Sequence, residues 1–139
     1  SILIAGTFNG NPLVTAAGTA VLRRLSGEPQ LYARMNAMGE RFRTEINRFA
    51  MEKDYPATAT GVGSMFWMHA LRGPVNNVRD ARRGDPDASV GLRLLYRKNG
   101  LHISSHHGFM CTAHTDEDIT QLIETHEAAM EELRAQGVW

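Results

Sequence analysis

Gly6-Thr7-Phe8-Asn9-Gly10-Asn11-Pro12-Leu13 is the stretch from which the rest of the chain is read. Gly6 and Gly10 allow backbone angles and close approaches that other residues forbid. Asn is among the best helix N-caps and Pro is preferred at the first helical position, so Asn11-Pro12 marks a helix start. The residues describe a tight loop with free N–H groups and a Thr hydroxyl at the positive end of a helix dipole. Such a loop suits an anion, most often a phosphate. The same residues also describe a plain glycine turn before a capped helix.

Outward from this loop, residues 11–25 read as a helix with Leu13, Ala17, Ala20, Val21 and Leu25 on one side. Ala16, Ala17, Gly18 and Ala20 make it thin, which predicts close packing on both sides. Leu31, Met35, Met38, Phe42, Ile46 and Phe49 recur at steps of three and four and predict a long amphipathic helix stopped by Tyr55-Pro56. The methionines in it read as core filler.

Residues 57–71, rich in β-branched and aromatic types, predict a strand region. Gly61 and Gly63 predict a bulge or bend in it. Apolar residues on both parities from Met65 to Leu71 predict cover on both faces. Residues 72–87 read as a polar loop carrying Arg79, Arg82 and Arg83. Asp87 or Ser89 is expected to cap a further helix ending at Asn99-Gly100. Residues 101–104 and 109–113 read as short strands linked by Ser105-His106-His107-Gly108. Thr115 followed by Asp116, Glu117 and Asp118 starts a last helix, with Ile119, Leu122, Ile123, His126, Met130 and Leu133 as its buried stripe.

Composition bounds the function. The chain has 139 residues, the size of one domain, with 42% hydrophobic and 22% charged residues. Fifteen basic and fifteen acidic residues cancel, so no global field points to nucleic acid or an anionic membrane. No apolar run reaches the roughly 18 residues of a membrane helix. The single cysteine, Cys111, leaves no internal disulfide and fits a reducing, cytoplasmic setting. It reads as a buried strand thiol rather than a nucleophile. His102, His106, His107 and His114 cluster in sequence, yet no carboxylate or second cysteine stands at zinc spacing, so no metal is expected. Ser1-Ile2-Leu3-Ile4-Ala5 reads as the end of a strand, as if the chain were a piece of something larger; a trimmed terminus reads the same way.

The opening stretch, followed by Ala16-Ala17-Gly18, resembles the G-T-[FL]-[SN]-G-N-P-[LV]-x-x-A-A-G stretch of class III aminotransferases. These are fold-type I enzymes dependent on pyridoxal 5'-phosphate (PLP). Leu94-Leu95 with Asn99-Gly100-Leu101-His102-Ile103-Ser104-Ser105 is similar to a segment of their glutamate-1-semialdehyde aminomutase branch. Gly108-Phe109-Met110 with Ala113-His114-Thr115-Asp116-Glu117-Asp118-Ile119 resembles that branch's G-F-M-x-x-A-H-[ST]-x-E-D-I ending.

The resemblance implies an α/β architecture, α+β in its C-terminal part. Residues 1–27 would end the large PLP-binding domain, and residues 28–139 would form the linking helix and a small domain with a short antiparallel sheet. Thr7, with Gly6 and Phe8, would contact the cofactor phosphate across a homodimer interface. PLP chemistry requires a lysine that carries the cofactor and shuttles protons. The two lysines, Lys53 and Lys98, do not stand in the family's lysine context. The expectation is therefore the C-terminal segment of a cytoplasmic aminotransferase or aminomutase acting on a small amino acid or amino-aldehyde. It would be inactive alone and completed by an upstream N-terminal portion. His106 and His107 stand where relatives place a gating Glu and a carboxylate-binding Arg, so they are expected to touch substrate. The rival expectation is a non-catalytic domain that docks on a partner chain.

Overall fold

The computed structural model describes residues 6–103 and 106–139. The expected strand at residues 1–5, and Ser104 and Ser105, lie outside the described residues. The elements in order are α1 (Pro12–Gly27), α2 (Gln30–Glu52), β1 (Thr58–Thr60), β2 (Met65–His69), α3 (Val78–Ala81), α4 (Pro86–Lys98), β3 (His107–Phe109) and α5 (Asp116–Ala135). The chain divides into two compact units, Ser1–Ala33 and Arg34–Trp139, with the division inside α2.

In the first unit α1 starts as its sequence dictates. The Asn11 side chain accepts from the backbone N–H of Leu13 at 3.0 Å and of Val14 at 3.2 Å, and Pro12 follows at the first helical position. No residue of α1 is buried, and Leu13 remains 78% exposed. The close packing expected on both sides of this thin helix is therefore not supplied by the chain itself.

In the second unit one core joins the stripe of α2 to β2, α4 and α5. Met38, Phe42, Ile46 and Ala50 of α2 are buried, each four residues after the last. Phe42 meets Phe66 of β2 at 4.2 Å between ring centroids. Burying such side chains contributes about 1.5–3 kcal/mol apiece. All six stripe residues expected on α5 are buried, and Thr115 and Asp118 form a reciprocal capping box at its start.

The sheet is antiparallel in the order β1-β2-β3, with Thr60 opposite Trp67 and Trp67 opposite His107. The free edge of β1 is satisfied by α2: Asn47 Nδ2 donates to the Ala59 carbonyl at 2.9 Å, and the Ala59 N–H donates to Asn47 Oδ1 at 2.7 Å. Between β1 and β2 the expected bend at Gly61–Gly63 is a tight turn in which the Gly63 carbonyl lies against Gly39 of α2, where a Cβ would collide with it.

Four local expectations are corrected. The third strand is His107–Phe109, so His107 and Gly108 are in the sheet rather than in a link, and residues 101–103 form no strand. Ile103 is buried nonetheless, so the alternation that suggested a strand reflects packing without a ladder. The polar loop contains the one-turn helix α3, capped by Asn77. Asp85, not Asp87 or Ser89, caps α4, because Pro86 takes the first helical position and the Asp85 carboxylate accepts from the N–H groups of Asp87 and Ala88. Finally, the outer face of β2 is covered only at its C-terminal end, where His69 is buried. Phe66 and Met68 are buried, whereas Met65 is 41% and Trp67 45% exposed.

Candidate functional site

The loop before α1 is a chain of turns. The Asn9 N–H donates to the Gly6 carbonyl at 3.0 Å and the Asn11 N–H to the Phe8 carbonyl at 3.1 Å. Gly10 takes φ +76°, a left-handed angle that makes glycine the natural occupant. Gly6, Thr7 and Phe8 are all exposed, so the Thr7 hydroxyl is open to an incoming group. An exposed hydroxyl beside the start of a helix is chemistry of the kind that can hold a phosphate.

Both lysines lie on the surface of the second unit. Lys98 Nζ bonds Glu132 Oε1 at 2.8 Å on the surface. Lys53 is exposed at the end of α2, and its carbonyl accepts from the Arg134 guanidinium at 2.8 Å.

The two histidines singled out from sequence lie in the second unit. The Met68 N–H donates to the His106 carbonyl at 2.7 Å, which ties His106 to the sheet edge just ahead of β3. His107 pairs with Trp67, their ring centroids 4.8 Å apart, and meets Phe109 edge-on at 5.7 Å. On the same face His69 lies with its ring nearly parallel to Trp67, and its Nε2 is 2.9 Å from Thr60 Oγ1. Side chains two apart on a strand share a face, which brings Trp67 and His69 together.

Burial pushes the pKa of His69 down. Burial does the same to His106, helped by the positive charge of Arg93 and by His69 and His107. Both imidazoles are therefore held neutral at pH 7. A neutral imidazole accepts or donates one proton per nitrogen and gains charge when a carboxylate approaches.

His114 and Cys111 play a local role. The Cys111 N–H donates to His114 Nδ1 at 3.1 Å across the turn after β3. Cys111 is exposed there, which corrects the expectation of a buried strand thiol. Among the described residues, no three of His, Cys, Asp and Glu converge as a metal would need.

Sequence reasoning missed Trp67, His69 and Arg82 as neighbours of His106. All four line one groove, between the outer face of the sheet and the segment from α3 to α4. The alternation Met65, Trp67, His69 carried that signal, because it places one indole and one imidazole on a single face.

No family model matches the chain. Its curated relatives are glutamate-1-semialdehyde 2,1-aminomutases; that of Thermus thermophilus is 33% identical over 129 residues, covering 91% of this chain and 30% of the relative. The chain thus spans about a third of the length of the curated relatives it matches, in their C-terminal part. Among solved structures, an omega-transaminase from Sphaerobacter thermophilus superposes with TM-score 0.78 at 25% identity, over 96% of this chain and 31% of that one. A transaminase with PLP bound superposes with TM-score 0.77 at 26% identity, over 99% and 31%.

Proposed function

We propose that this chain, a homologue of the C-terminal part of glutamate-1-semialdehyde 2,1-aminomutases, works as the C-terminal segment of a PLP-dependent aminotransferase or aminomutase acting on a small amino acid or amino-aldehyde. The observation that carries this reading is the 33% identity to an aminomutase over 91% of the chain. PLP, when bound, supplies the electron sink on which amino groups are moved. This chain's own contribution is narrower.

The Gly6–Asn11 loop holds the phosphate end of the cofactor through the Thr7 hydroxyl and the backbone N–H beside it, reaching it across a homodimer interface. Phosphate oxygens accept charge-assisted hydrogen bonds from such groups, and the start of α1 adds its dipole. His106 and His107 stand at the substrate entrance. A neutral imidazole there can steady a substrate carboxylate and take up a proton as it does so. The open face of α1 packs against the rest of the enzyme. Neither Lys53 nor Lys98 carries the cofactor, so the chain alone transfers no amino groups.

The test is to mix the purified chain with PLP and an amino donor, reduce with borohydride and map any modified lysine. The expected result is no stoichiometric PLP on Lys53 or Lys98. A peptide labelled at either residue overturns the reading.

A further inference from the structure

The groove between the outer face of the sheet and the α3–α4 segment carries a distinct chemistry. Trp67 forms part of its floor, His69 and His106 stand beside the indole, and Val78, Arg82 and Ser89 line the opposite side. None of the groove's lining residues is an Asp or Glu, so nothing acidic in the wall opposes an anion. Arg82 is exposed and makes no ion pair among the described residues; the neighbouring Asp80 pairs with Arg83 instead. Two polar atoms outside this lining, Nδ1 of His107 and Nε of Arg93, are buried without a hydrogen-bond partner among the described residues. Arg93 stands one helical turn after Ser89 on α4, and so on the same helix face.

The indole offers an apolar plate of the kind on which an aromatic or branched body rests. A single guanidinium with two adjacent imidazoles matches the charge and size of one carboxylate.

We infer that this groove binds a monocarboxylate with an aromatic or branched apolar body, the carboxylate held by Arg82 with His69 and His106 and the body laid on Trp67. The inference rests on the reading of His106 as part of the substrate entrance and specifies the substrate class that this entrance takes.

The test is a titration of the 139-residue chain with phenylacetate, followed by Trp67 fluorescence in a Trp139→Phe background. The expected result is a saturable change that phenethylamine and inorganic phosphate do not produce. Arg82→Gln, an exposed position whose change leaves the circular dichroism melting curve in place, is expected to weaken it at least tenfold. Binding is expected to tighten from pH 8 to pH 6. Among the described residues, the groups that face the imidazoles of His69 and His106 are His107 from β3, Arg93 from α4 and Arg82 from the groove wall, none of them acidic, so a carboxylate brings the negative charge.

Absence of saturation, an equal response to phenethylamine, saturation by phosphate alone, or an unchanged affinity in Arg82→Gln overturns the inference. If phenylacetate fails to bind while the assembled enzyme still transfers amino groups, the groove assignment falls and the aminotransferase reading stands. Binding by a chain that also carries borohydride-fixed PLP on its own lysine upholds the groove and overturns the aminotransferase-segment reading.

Discussion

Tyr96 and His126 lie face to face in the core, ring centroids 4.3 Å apart and planes inclined by 37°. Phe42 meets the same imidazole edge-on at 4.8 Å. His126 Nδ1 is 2.7 Å from the Leu122 carbonyl, which can only accept, so the proton of the neutral ring sits on Nδ1. Nε2 has no partner. Burial pushes the imidazole pKa down to about 4, against the opposing effect of the Leu122 hydrogen bond.

Acid therefore disfavours the folded state at this residue. In the unfolded chain His126 titrates near its ordinary value of 6.5, so between that pH and about 4 the unfolded state binds the extra proton. The stabilising contribution is complete above pH 6.5 and is lost as pH falls toward 4. By pH 5 it is smaller by about 2 kcal/mol. The lowered pKa values of His69 and His106 add to the loss with the same sign. Urea denaturation at pH 7.5 and pH 5 is expected to show this drop, and His126→Phe is expected to flatten it. An equally steep curve in the variant contradicts the assignment.

Two glycines separate the chain's internal needs from those of its surroundings. A Cβ on Gly39 would fall on the Gly63 carbonyl and stand 3.1 Å from Ser64 Cα, so Gly39→Ala is expected to destabilise the chain by about 1–3 kcal/mol. A Cβ on Gly18 meets nothing within 4 Å, and Ala is the better helix former by about 1 kcal/mol. Gly18→Ala is thus expected to leave the isolated chain unharmed. If α1 packs tightly in the assembled enzyme, the same change lowers the yield of dimer there. Thermal melting of the two variants, with size-exclusion of the assembled form, reads both effects.

Arg134 ties the end of α5 to the end of α2. Its guanidinium donates to the carbonyls of Lys53 at 2.8 Å and Asp54 at 2.9 Å and lies 3.7 Å above the centre of the Tyr55 ring. It thereby satisfies carbonyls that the helix leaves open. Arg134→Ala is expected to cost about 1–3 kcal/mol, seen as a lower urea midpoint. Arg134→Lys, which cannot fork across two carbonyls, is expected to recover only part of it.

What the sequence made legible follows from how local each signal is. Helices α1, α2 and α5 are written in their own residues: a cap, a period near 3.6 and a terminator suffice, as Asn11, the Met38–Phe42–Ile46 run and Thr115 with Asp118 illustrate. The third strand was misplaced because its pairing is non-local. Leu101 and Ile103 alternate as a strand would, yet the edge of β2 pairs with His107–Phe109, whose His-Gly-Phe sequence has little strand character. The cap of α4 was missed by two residues because Asp87 also suits a first turn. The turn before α1 was visible as glycines and an Asn-Pro start. The groove around His106 was not, since Trp67, His69 and Arg82 come together only through the sheet and the α3–α4 segment.

The central claim is that Thr7 of the exposed Gly6–Asn11 loop contacts the phosphate of a PLP enzyme, and cofactor retention tests it most directly. Thr7→Ala should be made in the assembled full-length dimer, and bound PLP followed by absorbance through exhaustive dialysis. Loss of a charge-assisted hydrogen bond of about 1.5–3 kcal/mol predicts that the variant holds PLP roughly ten- to a hundredfold more weakly than the unaltered enzyme. Retention equal to that of the unaltered enzyme would contradict the account and leave the loop as a glycine turn that caps a helix.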